Sequence, residues 1–117
     1  FNSTTMDILN KMITGGPAVY YDPGFRVMME DHLTYLRNLT NNEIIEIEPG
    51  IAYKYEGDYY GMLMHHGILP EYHWIIMRMN GYMSPQDYPS EQLSFINPPV
   101  SVLNRLSSTY RSHSTLR

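Results

Sequence analysis

The residue types best suited to chemistry gather in one stretch, where His65 and His66 are followed by Glu71 and His73. Neutral imidazoles and a carboxylate are the ingredients of an open zinc site, in which three protein ligands leave a position for water. Adjacent histidines on a helix point about 100° apart, so His65 and His66 cannot grip one ion unless the backbone unwinds. The plainer expectation puts His66 in an apolar helix stripe with its ring hydrogen-bonded, and His65 beside the last carbonyls of a helix closed by Gly67. Carboxylates come in two close sets, Glu30-Asp31 and Glu56-x-Asp58. Acid/base work needs a cleft that shifts their titration, and both sets fall on faces expected to be solvated. The C-terminal serines and threonines lack a Gly-x-Ser-x-Gly elbow. Gly15-Gly16 runs into Pro17 and not into Lys-Ser/Thr, so there is no phosphate-cradling loop. With no cysteine, thiol nucleophiles, thiolate metal sites and disulfides are excluded. The expectation is therefore a protein that is not an enzyme, with no catalytic residue, no metal ligand and no cofactor.

The elements that would position any site follow from periodicity and punctuation. Thr5 can cap a short helix carrying Ile8, Leu9, Met12 and Ile13 on one face, ended by Gly15-Gly16-Pro17. Asp22-Pro23 reads as an N-cap with proline at the first helical position. It opens a helix to about Asn38 that buries Phe25, Met28, Met29, His32, Leu33 and Leu36 and turns Arg26, Glu30, Asp31 and Arg37 outward. Residues 43–48 alternate Ile45 and Ile47 against Glu46 and Glu48, a half-buried strand. Pro49 starts a helix with Ala52, Tyr55, Tyr59, Met62, Leu63 and His66 as its stripe. Gly57 and Gly61 weaken it by about 1 kcal/mol each, which predicts either a kink or two helical turns divided near Gly57. Pro70 opens a further helix to Met79, stopped by Asn80-Gly81. Leu93 to Ile96 reads as a second strand, and Val100, Leu103, Leu106 and Tyr110 recur at helical spacing in the last segment. The expected core is Ile45, Ile47, Ala52, Tyr55, Tyr59, Leu63, Trp74, Ile76, Leu93 and Ile96.

A chain of 117 residues suffices for one domain with a modest core. Eleven Tyr and nine Met against three Phe and one Trp favour adaptable, half-buried surfaces. Formal charge is −4, and acidic residues concentrate between Asp22 and Glu71, whereas Arg105, Arg111 and Arg117 are the only full charges after Val100. An acidic body with a basic tail disfavours nucleic acid as partner, because phosphate recognition needs a concentrated positive field. No apolar run approaches the roughly 20 residues of a membrane span, and no signal-peptide core appears at the start. The chain begins at Phe1, which suggests that an initial piece is missing. Interface hot spots favour Tyr, Trp and Arg, so the expected docking residues are Tyr20, Tyr21, Tyr60, Arg105, Tyr110 and Arg111.

Strand, helix, helix, strand over residues 43–98, with Asn80-Gly81 after the second helix and a strand stopped by Asn97-Pro98-Pro99, resembles a LysM-type βααβ module. A helical leader, then Ala52, Tyr55 and Gly57, then Tyr72 to Trp74 on a helix ending at Asn80, resembles more narrowly the small baseplate wedge subunit of contractile-tailed bacteriophages. The resemblance implies an α+β fold with N-terminal helices (1–42), the LysM-like domain (43–98) and a C-terminal basic helical arm (99–117). It further implies a structural role in the virion tail, assembled in the host cytoplasm as part of a multi-copy symmetric particle. The partners implied are wedge, hub and sheath-initiating proteins. LysM domains elsewhere bind peptidoglycan, so Tyr53, Tyr55, Tyr59, Tyr60 and Tyr72 also support an alternative expectation of a cell-wall binding module. A small metal-dependent hydrolase built on the histidines, and a free-standing regulatory adaptor, are the remaining alternatives.

Overall fold

The computed structural model describes residues 17–115, with side chains described from 18 to 112. The helix expected from Thr5, with Ile8, Leu9, Met12 and Ile13, lies outside the described residues. Short helices surround one antiparallel pair of strands, so the fold is mixed α+β. A 3-10 turn at Pro17–Tyr21 leads into α1 (Pro23–Asp31) and α2 (Leu33–Arg37), followed by β1 (Glu43–Glu46), α3 (Pro49–Lys54) and α4 (Tyr59–His65). A second 3-10 turn at Pro70–Tyr72 precedes α5 (His73–Met79), and a third at Pro85–Asp87 precedes β2 (Ser94–Asn97) and α6 (Val100–Thr115).

Asp22 opens α1 as expected. Its backbone is extended, its side chain accepts the Gly24 N–H at 2.8 Å, and Pro23 takes the first helical position. The single helix expected to reach Asn38 is two helices, because the chain leaves helical geometry at His32. There Nδ1 of the imidazole donates to the Met28 carbonyl four residues back, at 2.8 Å. Phe25, Met29, Leu33 and Leu36 stay buried across the break, so the apolar stripe survives it.

Of the two alternatives near Gly57, the chain divides into separate helices. Gly57 adopts φ +76° and donates its N–H to the Tyr88 carbonyl at 2.9 Å, ending the turn after α3. Asp58 then caps α4 by accepting the Gly61 N–H at 3.0 Å. A β-carbon at Gly61 would collide with that carboxylate, so this glycine serves the cap. Both α4 and α5 end in Schellman motifs, with Gly67 and Gly81 at positive φ. Gly67 and Ile68 bond back to Met64 and Leu63, and Gly81 and Tyr82 bond back to Arg78 and Met77.

Helix α5 is the centre of the molecule. His73, Ile75, Ile76, Met77 and Met79 are all buried, so it is apolar nearly all round and must be enclosed. It packs against α1, α2, α4 and β2. The polar side of α1 and α2, expected in solvent, instead ties these elements together. The Arg78 guanidinium grips both oxygens of Glu30, Nη2 to Oε2 at 3.0 Å. Arg37 donates Nε to the Met79 carbonyl at 2.8 Å and Nη2 to the Arg78 carbonyl at 2.9 Å, closing the end of α5 from a neighbouring helix.

The strands pair in the register Glu43↔Asn97, Ile44↔Ile96, Ile45↔Phe95 and Glu46↔Ser94. Ile47, just past β1, is buried and Ile45 half-buried, which matches the alternation in the sequence. Leu93, expected in the core, is 42 % exposed. The strand starts one residue later than expected, and Phe95 takes the inward place while Ile96 is half-buried. Of the other expected core residues, Ala52, Tyr59, Leu63 and Ile76 are buried, whereas Tyr55 and Trp74 are half-buried. In α6 the inward residues are Val102, Leu103 and Ser107, with Leu106 and Tyr110 partly covered and Val100 exposed. The Tyr110 ring meets Phe25 edge-on at 5.6 Å and its hydroxyl donates to Asp22 Oδ1 at 3.2 Å, laying α6 along the start of α1.

Candidate docking surface

Around Arg26 the first turn, α1 and α5 meet. The chain bends through Pro17–Tyr21 and exposes the Tyr21 ring, 53 % accessible, beside the first turns of α1. Arg26 reaches back and donates Nε to the Tyr20 carbonyl at 3.1 Å. That bond holds the guanidinium between two ring faces, 4.9 Å from Trp74 and 5.6 Å from Tyr21. Trp74 lies on the side of α5 facing Arg26 and is half-buried, so its ring is partly platform and partly core. Tyr60, from α4, packs on His73 at 5.3 Å, and burial pushes its phenol above the ordinary value while the charge of Arg26 pulls it down. Tyr21, Arg26, Tyr60 and Trp74 are the residue types enriched at interface hot spots, and the stacking already fixes the arginine that a partner would otherwise have to order.

Tyr20, expected at an interface, is buried instead. Its ring is edge-on to Phe25 and Tyr72, its hydroxyl donates to Asn104 Oδ1 at 2.8 Å, and burial pushes the phenol up to about 12. Its role is to pin the 3-10 turn on α6. Arg105 is exposed and donates to the Tyr35 hydroxyl at 3.0 Å, Arg111 donates to Ser108 Oγ at 3.4 Å, and Tyr110 faces Asp22. Of the six expected docking residues, Tyr21 and Tyr60 belong to the elements around Arg26, while Arg105, Tyr110 and Arg111 line α6. By its sequence pattern Arg26 is an outward charge and Trp74 a core ring. Nothing local signals their stacking, since the two residues meet only through the packing of α1 on α5.

The chain matches no protein-family model, no curated protein and no solved structure.

The other groups singled out in the sequence have local tasks. His66 donates Nδ1 to the Met62 carbonyl at 2.9 Å and closes α4, and His73 is buried with Nε2 on the Ile68 carbonyl at 2.8 Å. Among the described residues no three histidines or carboxylates converge as a metal site. Glu30 is paired with Arg78 and Asp58 is a helix cap, so neither is set as a general base. The five tyrosines of the carbohydrate reading do not share a face. Tyr53 is exposed, Tyr55 lies on His65, Tyr59 is sealed between Tyr82 and Tyr88, Tyr60 lies on His73, and Tyr72 lies on Tyr20. An apolar groove of about 210 Å³ runs between Ile68, Leu69 and Tyr72 on one wall and Val100 and Leu103 on the other. No described helix is long and apolar enough to cross a membrane.

Proposed function

We propose that this chain is a structural protein of a contractile phage tail baseplate, clamping wedge subunits to the central hub and sheath-initiating layer. Residues 43–98 serve in this reading as a LysM-like βααβ module, with helices between two strands that pair antiparallel. Support for the module comes from the order β1, α3, α4, α5, β2 and from the β1–β2 register. The observation that carries the docking role is the arginine stacked between Tyr21 and Trp74, a surface suited to protein contact and equipped with no group poised for bond chemistry.

The test is co-purification of the full chain from a phage-producing extract, beside Tyr21→Ala and Arg26→Ala. Recovery of tail-tube or wedge proteins with the parent chain, and their loss with both variants while melting curves stay in place, is the expected result. Retention of the purified chain on insoluble peptidoglycan without such partners would replace this reading with the cell-wall one. A chain that recovers no tail component under either condition would remove the baseplate assignment.

A further inference from the structure

The two edges of the β1–β2 ribbon are not alike. In an antiparallel pair, alternate residues turn N–H and C=O toward the partner strand and the rest turn them away. The Ile47 N–H donates to the Leu93 carbonyl at 2.8 Å, and the register continues it through Ile45↔Phe95 and Glu43↔Asn97. Odd-numbered positions are therefore the bonded pairs. Ile44 and Glu46 on β1, and Ser94 and Ile96 on β2, point their backbone groups outward.

On β2 side-chain amides take these groups. Asn80 Oδ1 accepts the Ile96 N–H at 2.8 Å and Asn80 Nδ2 donates to the Ile96 carbonyl at 3.1 Å, as one residue of a third strand would. Gln92 Nε2 donates to the Ser94 carbonyl at 3.1 Å. On β1 no described residue bonds the N–H or C=O of Ile44 or Glu46. The Ile44 side chain beside them is 61 % exposed.

We propose that the outer edge of β1 is a strand-addition site for an extended, basic segment of another protein. The outward backbone groups of Ile44 and Glu46, unbonded by any described residue, supply the ladder, and main-chain bonding of this kind carries affinity while alternate side chains carry specificity. Charge selects the occupant. Glu46 and Glu48 are exposed on the face that Ile44 shares, whereas Glu43, also exposed, lies on the other face and accepts from Asn97 Nδ2 at 3.4 Å across the ribbon. Pairing with a second copy would bring Glu46 and Glu48 of each chain onto one short ribbon, which like-charge repulsion opposes. A segment with an apolar residue beside Ile44 and Lys or Arg beside Glu46 meets both, because Ile44 and Glu46 share a face. This site is separate from the Arg26 surface and is tested separately.

The probe is a capped peptide Lys-Thr-Val-Thr-Lys-Thr-Val, with a twin carrying Glu at both Lys positions, titrated into the full chain at low salt. Amide hydrogen exchange at Ile44 and Glu46 should slow saturably with the Lys peptide, while Ile45, already bonded to β2, stays unchanged. The Glu twin should bind about tenfold more weakly. Ile44→Pro removes an outward N–H and leaves the β1–β2 ladder intact, so it should weaken binding about tenfold. Should that variant unfold, Glu46→Lys, at an exposed side chain, should reverse the preference between the two peptides. Tyr21→Ala should change nothing here. Unchanged exchange at Ile44 and Glu46, equal binding of the two peptides, or protection that grows with chain concentration in the absence of peptide would each overturn the proposal.

Discussion

Single residues in this chain carry costs that can be measured one at a time. Tyr59 is fully buried between Tyr82 and Tyr88, at ring distances of 5.1 and 5.3 Å, and its hydroxyl has no hydrogen-bond partner. Burial pushes that phenol far above its ordinary range, so it remains neutral and its unmet polarity is a net loss. Removing the oxygen while keeping the ring should help, and Tyr59→Phe is expected to gain about 1 kcal/mol in urea unfolding. Glu30 behaves in the opposite sense. Its hydrogen bond to Arg78 holds the carboxyl below its ordinary value, so the pair's contribution is present above the unfolded value and disappears as pH falls through the folded one. The Glu30 side chain is 37 % exposed, and solvent screening keeps that contribution under about 1 kcal/mol. Glu30→Gln should therefore be slightly less stable than the parent at neutral pH, and the two melting curves should converge in acid.

At the scale of elements, a repeated device ends the helices. His32, His66 and Asn80 each stand at a helix C-terminus and bond the carbonyl four residues back. For Asn80 the same amide also holds Ile96, so the end of α5 and the edge of β2 share one side chain. Asn80→Ala is expected to cost about 2 kcal/mol in chemical denaturation and to speed exchange at the Ile96 amide. Much of this layer could be read locally. Gly57, Gly67 and Gly81 mark boundaries through a positive φ that few other residues adopt, Asp22-Pro23 through a side-chain cap and the fixed φ of proline, and the structure places boundaries at all four. The break at His32 was not legible, because it depends on an imidazole competing for a carbonyl that a continuous helix would use. Leu93 and Phe95 share a face of the strand, and Leu93, at its open end, is left uncovered where Phe95 is enclosed.

For the molecule as a whole, the central fact is that α5 collects partners from distant sequence. Arg37 reaches it across 42 positions and Glu30 across 48. Such ties leave no trace in periodicity, which explains why Arg26, Glu30 and Arg37 read as a solvated face. The candidate site was partly visible for the same reason: Tyr21 and Tyr60 stand out by composition, whereas the Arg26–Trp74 stack exists only once α1 lies on α5. Because Trp74 is half-buried, Trp74→Ala should cost less than the ~3–5 kcal/mol of an enclosed large ring in equilibrium unfolding.

Asn80 is followed by glycine, the dipeptide most prone to spontaneous deamidation through a cyclic imide. In the folded chain the attacking nitrogen, that of Gly81, is bonded to the Arg78 carbonyl, and the amide it would attack is held on Ile76 and Ile96. Ageing at this spot is thereby coupled to opening of the fold. Stored native protein should keep its mass at the peptide spanning 80–81, while denatured protein converts. Conversion leaves aspartate or isoaspartate there, neither of which donates to the Ile96 carbonyl, so the second strand loses its seal.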